Sequence, residues 1–227
     1  MATYDLEEQE QIAELKAWWK QYGNLFLGLL TAASLAVLAW QGWNWYQRNQ
    51  AAQASAIYGV LQKAIQDKDM QRVKAASGEM IEKFPGTGLA PLAALSAAKV
   101  FHDAGDAKTA KLQLTWVAEH GRDEIRDLAR LRLATLLIDE KAYDEALQQL
   151  ATPGSAAFAV RFADGRGDVL AAQGKKSDAR AAYQSALDKL VEAEKSLGEK
   201  DSLQAAQANA AYRELLQLKL DSLGEGQ

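Results

Sequence analysis

The sequence contains no cysteine and only three prolines, and these absences set the first limits on its fold and chemistry. Without cysteine the chain has no disulfide, no thiol nucleophile and no thiolate ligand for a metal. Proline breaks helices, so its scarcity leaves room for long ones, and the strong helix formers alanine and leucine are abundant. Alternating runs of Val, Ile and Thr bounded by turn residues are also missing, and the sequence therefore predicts an all-α protein.

Residues suited to catalysis or metal binding are scarce as well. The two histidines, His102 and His120, fall on different predicted helices, and neither has a second ligand at metal-binding spacing. The segment "DGRGD", residues 164–168, resembles both a fragment of a phosphate loop and an Arg-Gly-Asp tripeptide, but no strand precedes it and the third glycine is missing. Carboxylate pairs such as Asp123 and Glu124 lie at helix ends, where the helix dipole and solvent account for them. We therefore predict that the protein is not an enzyme and uses no cofactor and no metal.

The charge balance gives no indication of a nucleic acid partner. From Asn49 onward the chain has 23 Lys or Arg and 25 Asp or Glu, so most of the protein is close to neutral. Domains that bind nucleic acid carry a basic face, which this composition does not favour. We predict no nucleic acid among the partners.

A stretch without any charged residue lies near the N-terminus, between Lys20 and Arg48. Its apolar centre, residues 25–46, is 22 residues long, which as a helix is about 33 Å and enough to cross a hydrocarbon core of about 30 Å. The sequence therefore predicts a transmembrane helix in a lipid bilayer over residues 25–46, preceded by a leader of residues 1–24. Aromatic residues cluster at both ends, as in the interface belts of membrane spans: Trp18, Trp19, Tyr22, Trp40, Trp43, Trp45 and Tyr46.

Two other interpretations of this stretch have less support. A core helix of a soluble protein keeps a polar stripe, whereas apolar side chains here surround the whole circumference. A cleavable signal peptide is favoured by the A-x-A pattern at residues 52–54, but it requires a basic leader, and this leader has five acidic residues against Lys16 and Lys20. We therefore predict an uncleaved signal anchor. The few basic residues near its ends favour a cytoplasmic N-terminus only weakly.

Internal repetition organises the predicted domain that follows, residues 47–227. The segments "GDAKTAKLQLTWVAEH", "KAYDEALQQLATP" and "GKKSDARAAYQSALDKL" align so that an alanine recurs at separations of 36 and 33 residues. Another small residue stands twelve positions before each alanine, and a large one, Phe101, Leu137 or Leu170, stands three positions after that small residue. Small residues let antiparallel helices approach closely, so we predict that six of them pack at helix crossings: Ala98, Ala110, Ala134, Ala146, Gly167 and Ala179.

This spacing predicts about four degenerate helix pairs up to residue 190, with a capping helix over residues 202–223. Ser177 is the predicted N-cap of the helix that runs to Leu190. The pattern resembles tetratricopeptide (TPR) repeats, most closely in "GKKSDARAAYQSAL", although no aromatic residue precedes the first small residue and two units lack the terminal proline. A general array of antiparallel helices is the alternative. The resemblance implies a TPR-like solenoid.

The order of these features resembles one family, the YfgM-type ancillary subunits of the SecYEG translocon. The most specific matches are "YDLEEQEQIAELKAWWKQYGNLFLG", residues 4–28, and "KLDSL" near the C-terminus. The resemblance implies a bacterial inner-membrane protein with a cytoplasmic N-terminus and a periplasmic TPR-like domain. It further implies partnership with the SecYEG translocon and with a membrane-anchored chaperone of the PpiD type, in handling newly exported, unfolded proteins.

The first helices of stacked helix pairs line a concave surface, which is the predicted site for such clients. About a quarter turn from the small packing residue, two pairs present apolar residues with polar edges, and the next presents Arg161, Asp164 and Asp168. The candidate groove consists of Leu92, Leu95, Lys99, His102, Leu128, Leu131, Thr135 and Ile138. The alternative is that its leucines belong to the core between repeats. A tethered scaffold with one fixed partner, or a regulatory adaptor that acts through its leader, is the alternative function.

Overall fold

The structure, a computed structural model, describes residues 2–197 and 199–224, and for residues 2–10, 199 and 200 it describes the backbone alone. The acidic side chains at positions 5, 7, 8 and 10 of the leader therefore lie outside the described residues. Within the described ranges the chain is helical without any strand, as the sequence predicts. The elements are α1 Ala2–Gln66, α2 Met70–Lys83, α3 Leu89–Asp103, α4 Ala107–His120, α5 Asp123–Asp139, α6 Tyr143–Gln149, a 3-10 helix Ala156–Phe158, α7 Ala159–Ala172, α8 Lys176–Lys195, α9 Glu199–Ala208 and α10 Ala210–Ser222.

The chain divides into two compact units, the first ending at Gln53 and the second beginning at Ala54. The described part of the first unit is a stretch of α1 that buries very little of its apolar surface. Two of its hydroxyls are satisfied within the helix: those of Thr31 and Ser34 each donate to the carbonyl oxygen four residues earlier, at 2.8 Å. The helix has no break at residue 24 or 46, so the predicted ends of the membrane span stay predictions.

The second unit begins with the last turns of α1, where Ala54, Leu61 and Ala64 are fully buried in the main hydrophobic core. This segment and α2 form the first helix pair, and α3 with α4, α5 with α6 and α7 with α8 form the next three. The predicted repeat of helix pairs is confirmed.

Four turns inside the helix pairs share one backbone geometry. Each contains one residue in the left-handed region, and these residues are Lys68, Gly105, Lys141 and Gly174, with φ of 55°, 82°, 59° and 76°. The next amide then donates, at 2.8 to 2.9 Å, to the carbonyl five residues earlier, which ends the helix in a Schellman-type arrangement. The four acceptors belong to Ala64, Phe101, Leu137 and Leu170. The last three are the large residues of the sequence alignment, so sequence and backbone repeat in the same register.

The small residues of the alignment are all buried: Ala98, Ala110, Ala134, Ala146, Gly167 and Ala179. Gly167 has the tightest surroundings, since a Cβ at this position would overlap the ring of Tyr183 on α8. α7 faces two cores here, because Phe162 and Val169 belong to the main core whereas Ala163 packs with Tyr183 in a second, smaller core. The second core also contains Leu216 of α10.

Two predictions at the C-terminal side need correction. Ser177 is not the N-cap, because α8 already begins at Lys176 and the cap residue Lys175 makes no side-chain cap bond. The predicted single capping helix over residues 202–223 is divided into α9 and α10 at Asn209. The side-chain amide of Asn209 donates to Glu194 Oε1 of α8 at 3.1 Å, and Arg213 pairs with the other oxygen of Glu194 at 2.5 Å. Asparagine is a poor helix former, and this attachment to α8 accounts for the break.

Candidate functional site

Two cavities lie along the first helices of successive pairs, where the sequence predicts a groove. The α3–α5 cavity has a volume of about 300 Å³ and the α5–α7 cavity one of about 510 Å³. Arg132 and Thr135, on α5, line both cavities and therefore lie between them. The walls are mixed: Ala98, Leu114 and Leu136 are apolar linings of the α3–α5 cavity, and charged side chains complete it.

Six of the eight predicted groove residues line these cavities. Lys99, His102 and Thr135 line the α3–α5 cavity, and Leu128, Leu131, Thr135 and Ile138 line the α5–α7 cavity. Leu128, Leu131 and Ile138 are half-buried and pack against the main core, so the two interpretations of the leucines are both partly right. The role of these residues in binding stays a prediction.

The other two predicted groove residues line neither cavity. Leu95 is only 6% exposed and belongs to the main core, which corrects its placement on the concave surface. It lies three residues before Ala98 on a helix whose surface is mostly buried, so its side chain points into the packing between repeats. Leu92 is 40% exposed and lies outside both cavities.

Sequence reasoning missed Arg132, although helical spacing could have found it. Arg132 follows Leu128 by four positions and precedes Thr135 by three, which places all three on one face of α5. It also missed Tyr212, which reaches the α5–α7 cavity from α10. No local pattern indicates that a residue about fifty positions after Asp164 contacts it.

α10 is attached to α7 beside the α5–α7 cavity through a network of charges and hydroxyls. The ammonium of Lys219 lies 2.7 Å from Asp164 Oδ1, 2.7 Å from Asp168 Oδ1 and 2.9 Å from Asp168 Oδ2. The Tyr212 hydroxyl donates to Asp164 at 2.9 Å, and the Tyr183 hydroxyl donates to Asp168 at 2.8 Å. We call these five residues the α7–α10 clamp.

The clamp raises the pKa of three side chains, Tyr183, Tyr212 and Lys219. Burial, and next the hydrogen bond to Asp168, raises the pKa of Tyr183, while burial and the negative charge of Asp164 raise the pKa of Tyr212. Burial by itself would lower the pKa of Lys219, but the hydrogen bonds to Asp164 and Asp168 outweigh it and raise that pKa. Both phenols and the ammonium therefore keep their protons at neutral pH.

The clamp also explains the segment "DGRGD", in which each residue has a structural contact. Asp164 and Asp168, one helical turn apart on α7, bind Lys219. Gly165 lies against Leu150, and Gly167 lies under the Tyr183 ring. Arg166 donates to the Leu150 carbonyl at 2.9 Å. The segment fits the end of the repeat array, and its resemblance to a phosphate loop has no support in its helical backbone.

The two histidines lie apart from one another. His102 is exposed at the rim of the α3–α5 cavity, whereas His120 stacks on Trp116 with ring centroids 5.0 Å apart. Across the described side chains, no three His, Asp or Glu come together in a group suited to a metal ion.

The aromatic residues predicted to anchor the span in the membrane lie exposed on α1: Trp18, Trp19, Tyr22, Trp40, Trp43, Trp45 and Tyr46. Trp18 and Tyr22 approach one another with centroids 6.0 Å apart, and Trp43 and Tyr46 do so at 6.2 Å. In the described part of the chain, one helix is long and apolar enough to cross a membrane. An apolar helix of this kind followed by helix-pair repeats defines a class of membrane-anchored TPR-like proteins.

Comparison with known proteins gives the particular family. A family model described as "Tetratricopeptide repeat-like domain" matches residues 16–225. An ancillary SecYEG translocon subunit of Neisseria gonorrhoeae is 34% identical over 96% of this chain and 98% of its own length, and that of Haemophilus influenzae is 29% identical over 81% and 90%. The chain belongs to the family of ancillary SecYEG translocon subunits. Among solved structures, MamA from Desulfovibrio magneticus RS-1 is 17% identical with a TM-score of 0.47, covering 76% of this chain and 97% of that one.

Proposed function

We propose that the protein is a single-pass inner-membrane accessory subunit of the Sec translocon, with its N-terminus in the cytoplasm and its TPR-like domain in the periplasm. The names of the relatives support the association with SecYEG, and the exposed apolar surface of α1 supports the anchor. The protein acts by binding and not by catalysis. Anchoring confines the domain beside the translocon, which raises its effective concentration there even when each contact is weak.

The groove receives newly exported, unfolded proteins and passes them to a membrane-anchored chaperone of the PpiD type. The observation that carries this proposal is the open part of the groove, where Leu128, Leu131 and Ile138 stand beside Arg132 and Thr135. A half-buried apolar wall with polar edges suits brief contact with many unfolded segments, because each apolar contact contributes only about 1 to 3 kcal/mol. An exported protein makes few of these contacts at any one time, so the groove releases it readily.

Site-specific photo-crosslinking of the full chain tests this function. A photoreactive residue at Thr135, which is exposed and lines both cavities, is compared with one at Asp178, exposed on α8. In membranes with SecYEG and a stalled exported chain, we expect crosslinks from Thr135 to several unrelated exported proteins and few from Asp178. Crosslinks from Thr135 to one folded envelope protein alone would instead favour the tethered scaffold.

The absence of cysteine makes the orientation simple to test. A single cysteine at Asp178 should react with a membrane-impermeant maleimide added from the periplasmic side of intact cells, and one at Glu14 should react only after the membrane is opened. The protein should also stay in the membrane after alkaline extraction, with its N-terminus intact. A mature N-terminus at Ser55 would contradict the uncleaved anchor.

A further inference from the structure

Arg132 is the charged residue that lies between the two cavities of the groove. It lines both cavities and is exposed, and among the side chains that the structure describes no carboxylate lies within ion-pair distance of it. Its neighbours on α5 behave differently: Arg130 donates to the Thr152 carbonyl at 2.9 Å and lies 3.9 Å from Asp127. The Arg132 guanidinium therefore faces the groove. None of its five N–H donors binds a carboxylate among the described side chains.

The carboxylates that line the two cavities already have cationic partners. Asp103 pairs with Lys99 at 2.7 Å, and Asp164 and Asp168 pair with Lys219. Arg161, the other guanidinium of the α5–α7 cavity, lies over the Tyr212 ring at 5.5 Å. The two linings together carry three cations and three carboxylates, and Lys219 adds one positive charge from outside them. Arg132 therefore keeps its charge, without a described carboxylate in ion-pair distance, at the point where the two cavities meet.

We propose that Arg132 selects the client segment: it binds an Asp or Glu side chain in the middle of a partner polypeptide, whose apolar residues on either side enter the α3–α5 and α5–α7 cavities. This inference rests on the proposed function and specifies its substrate class. A guanidinium suits this task, because its planar fork of donors matches a carboxylate with two parallel hydrogen bonds. Charge complementarity gives the specificity, and the apolar walls give contact area.

The position of Arg132 between two cavities favours an internal acidic residue over a chain terminus. A chain that crosses Arg132 continues over apolar walls on both sides, namely Leu114 and Leu136 in one cavity and Leu128 and Leu131 in the other. A C-terminal carboxylate bound at Arg132 would fill one cavity and leave the other empty. The predicted pattern in the client is therefore apolar, acidic, apolar.

Binding of short labelled peptides to the full chain in lipid nanodiscs tests the inference. The probe is fluorescein-Gly-Ser-Leu-Ala-Glu-Ala-Leu-Ser-Gly-amide, compared with peptides that carry Gln or Lys in place of Glu and with one that ends in Leu-Ala and a free carboxylate. Fluorescence anisotropy should show the Glu peptide binding about tenfold more tightly than the Gln peptide at low salt, because a charge-assisted bidentate pair is lost. The difference should shrink as salt is added.

Variants of one residue assign the effect to Arg132. Arg132→Gln should abolish the preference for Glu over Gln, and Arg132→Glu should reverse it in favour of the Lys peptide. Arg122→Gln is the matched control, because Arg122 is exposed next to the start of the same helix and lines neither cavity. It should retain the tenfold preference, and circular dichroism should be the same for all variants since both arginines are exposed.

Several outcomes would overturn the inference: no peptide binding, equal binding of the Glu and Gln peptides, a preference that persists in Arg132→Gln, or tighter binding of the peptide with the free carboxylate. Crosslinking of stalled exported chains from Thr135 is measured on the same variants. Normal capture by wild type without a charge preference would reject the inference and leave the proposed function intact. Absence of capture by wild type would reject the proposed function, whatever the peptides show.

Discussion

The two ends of the concave surface are built from the same helix-pair repeat but are completed in different ways. At α7, side chains of α10 form part of the cavity wall, and Lys219 and Tyr212 satisfy Asp164 and Asp168. At α3 and α5, Arg132 and Thr135 remain exposed beside cavities. The difference is one of partners: at α7 the charged side chains are bound by α10, whereas Arg132 and Thr135 of α5 stay exposed to a partner.

The largest expected change in the free energy of unfolding distinguishes a core leucine of α3 from a surface leucine of the same helix. Leu95→Asp should lower the free energy of unfolding by about 4 kcal/mol, because it places an unpaired charge in the core and removes apolar contacts. Leu92→Asp, three residues earlier and 40% exposed, should change it by less than about 1 kcal/mol. Urea unfolding of the full chain in mild detergent, followed by circular dichroism, measures both. Equal effects would mean that α3 is rotated relative to this structure.

The free energy of unfolding should depend strongly on Lys219, the cation of the α7–α10 clamp. Lys219→Met should lower the free energy of unfolding by about 3 kcal/mol, because it leaves the carboxylates of Asp164 and Asp168 together without a counter-charge. Adding Asp164→Asn and Asp168→Asn should recover part of this loss. Lys176→Met, on exposed Lys176 of α8, is the control and should have little effect. A small effect of Lys219→Met would show that the other contacts of α10 hold it in place without this cation.

A pair of glycine variants tests the close packing between α7 and α8. Gly167→Ala should lower the free energy of unfolding by about 2 kcal/mol, because the new methyl group overlaps the Tyr183 ring and displaces a clamp residue. Gly78→Ala in α2 should raise it by about 0.5 to 1 kcal/mol, since its methyl group meets nothing within 4 Å and alanine is the better helix former. Thermal melting distinguishes the opposite signs, and a stabilising Gly167→Ala would contradict the crossing of α7 and α8.

The smallest effect is the response of the clamp to alkaline pH. The raised pKa values of Tyr183 and Tyr212 keep both phenols protonated in the folded chain, whereas an unfolded chain ionises them near pH 10. Above that pH the unfolded state binds fewer protons, so the free energy of unfolding falls as pH rises, by about 1 kcal/mol per tyrosine at pH 11. Tyr212→Phe should lose less stability than wild type between pH 9 and pH 11 and should show the same slope between pH 7 and pH 9. An identical slope above pH 9 would contradict the burial of this phenol.

Local sequence patterns predicted most of the fold. The charge-free run before Arg48 is long enough to predict a membrane helix without any tertiary information. The alignment placed Phe101, Leu137 and Leu170 at equivalent positions, and the structure adds that their carbonyls close three of the four turns. Two predictions that failed depend on contacts between elements: Leu95 is buried by neighbouring helices, and α9 and α10 are divided where Asn209 meets Glu194. The third, the N-cap at Ser177, missed a local helix start by two residues.

The sequence by itself determined the class of this protein: an apolar helix, a repeat of helix pairs with its register, and a family. The helix and the repeat follow from length, propensity and periodicity, which act over a few turns of helix. The family followed from the resemblance of particular segments, such as residues 4–28. Only the tertiary structure decided which part of the concave surface is open. Lys219 reaches Asp164 across about fifty residues of chain, whereas Arg132 has no carboxylate partner among the described side chains. The free energies of such pairs depend on burial and distance, which no local pattern encodes.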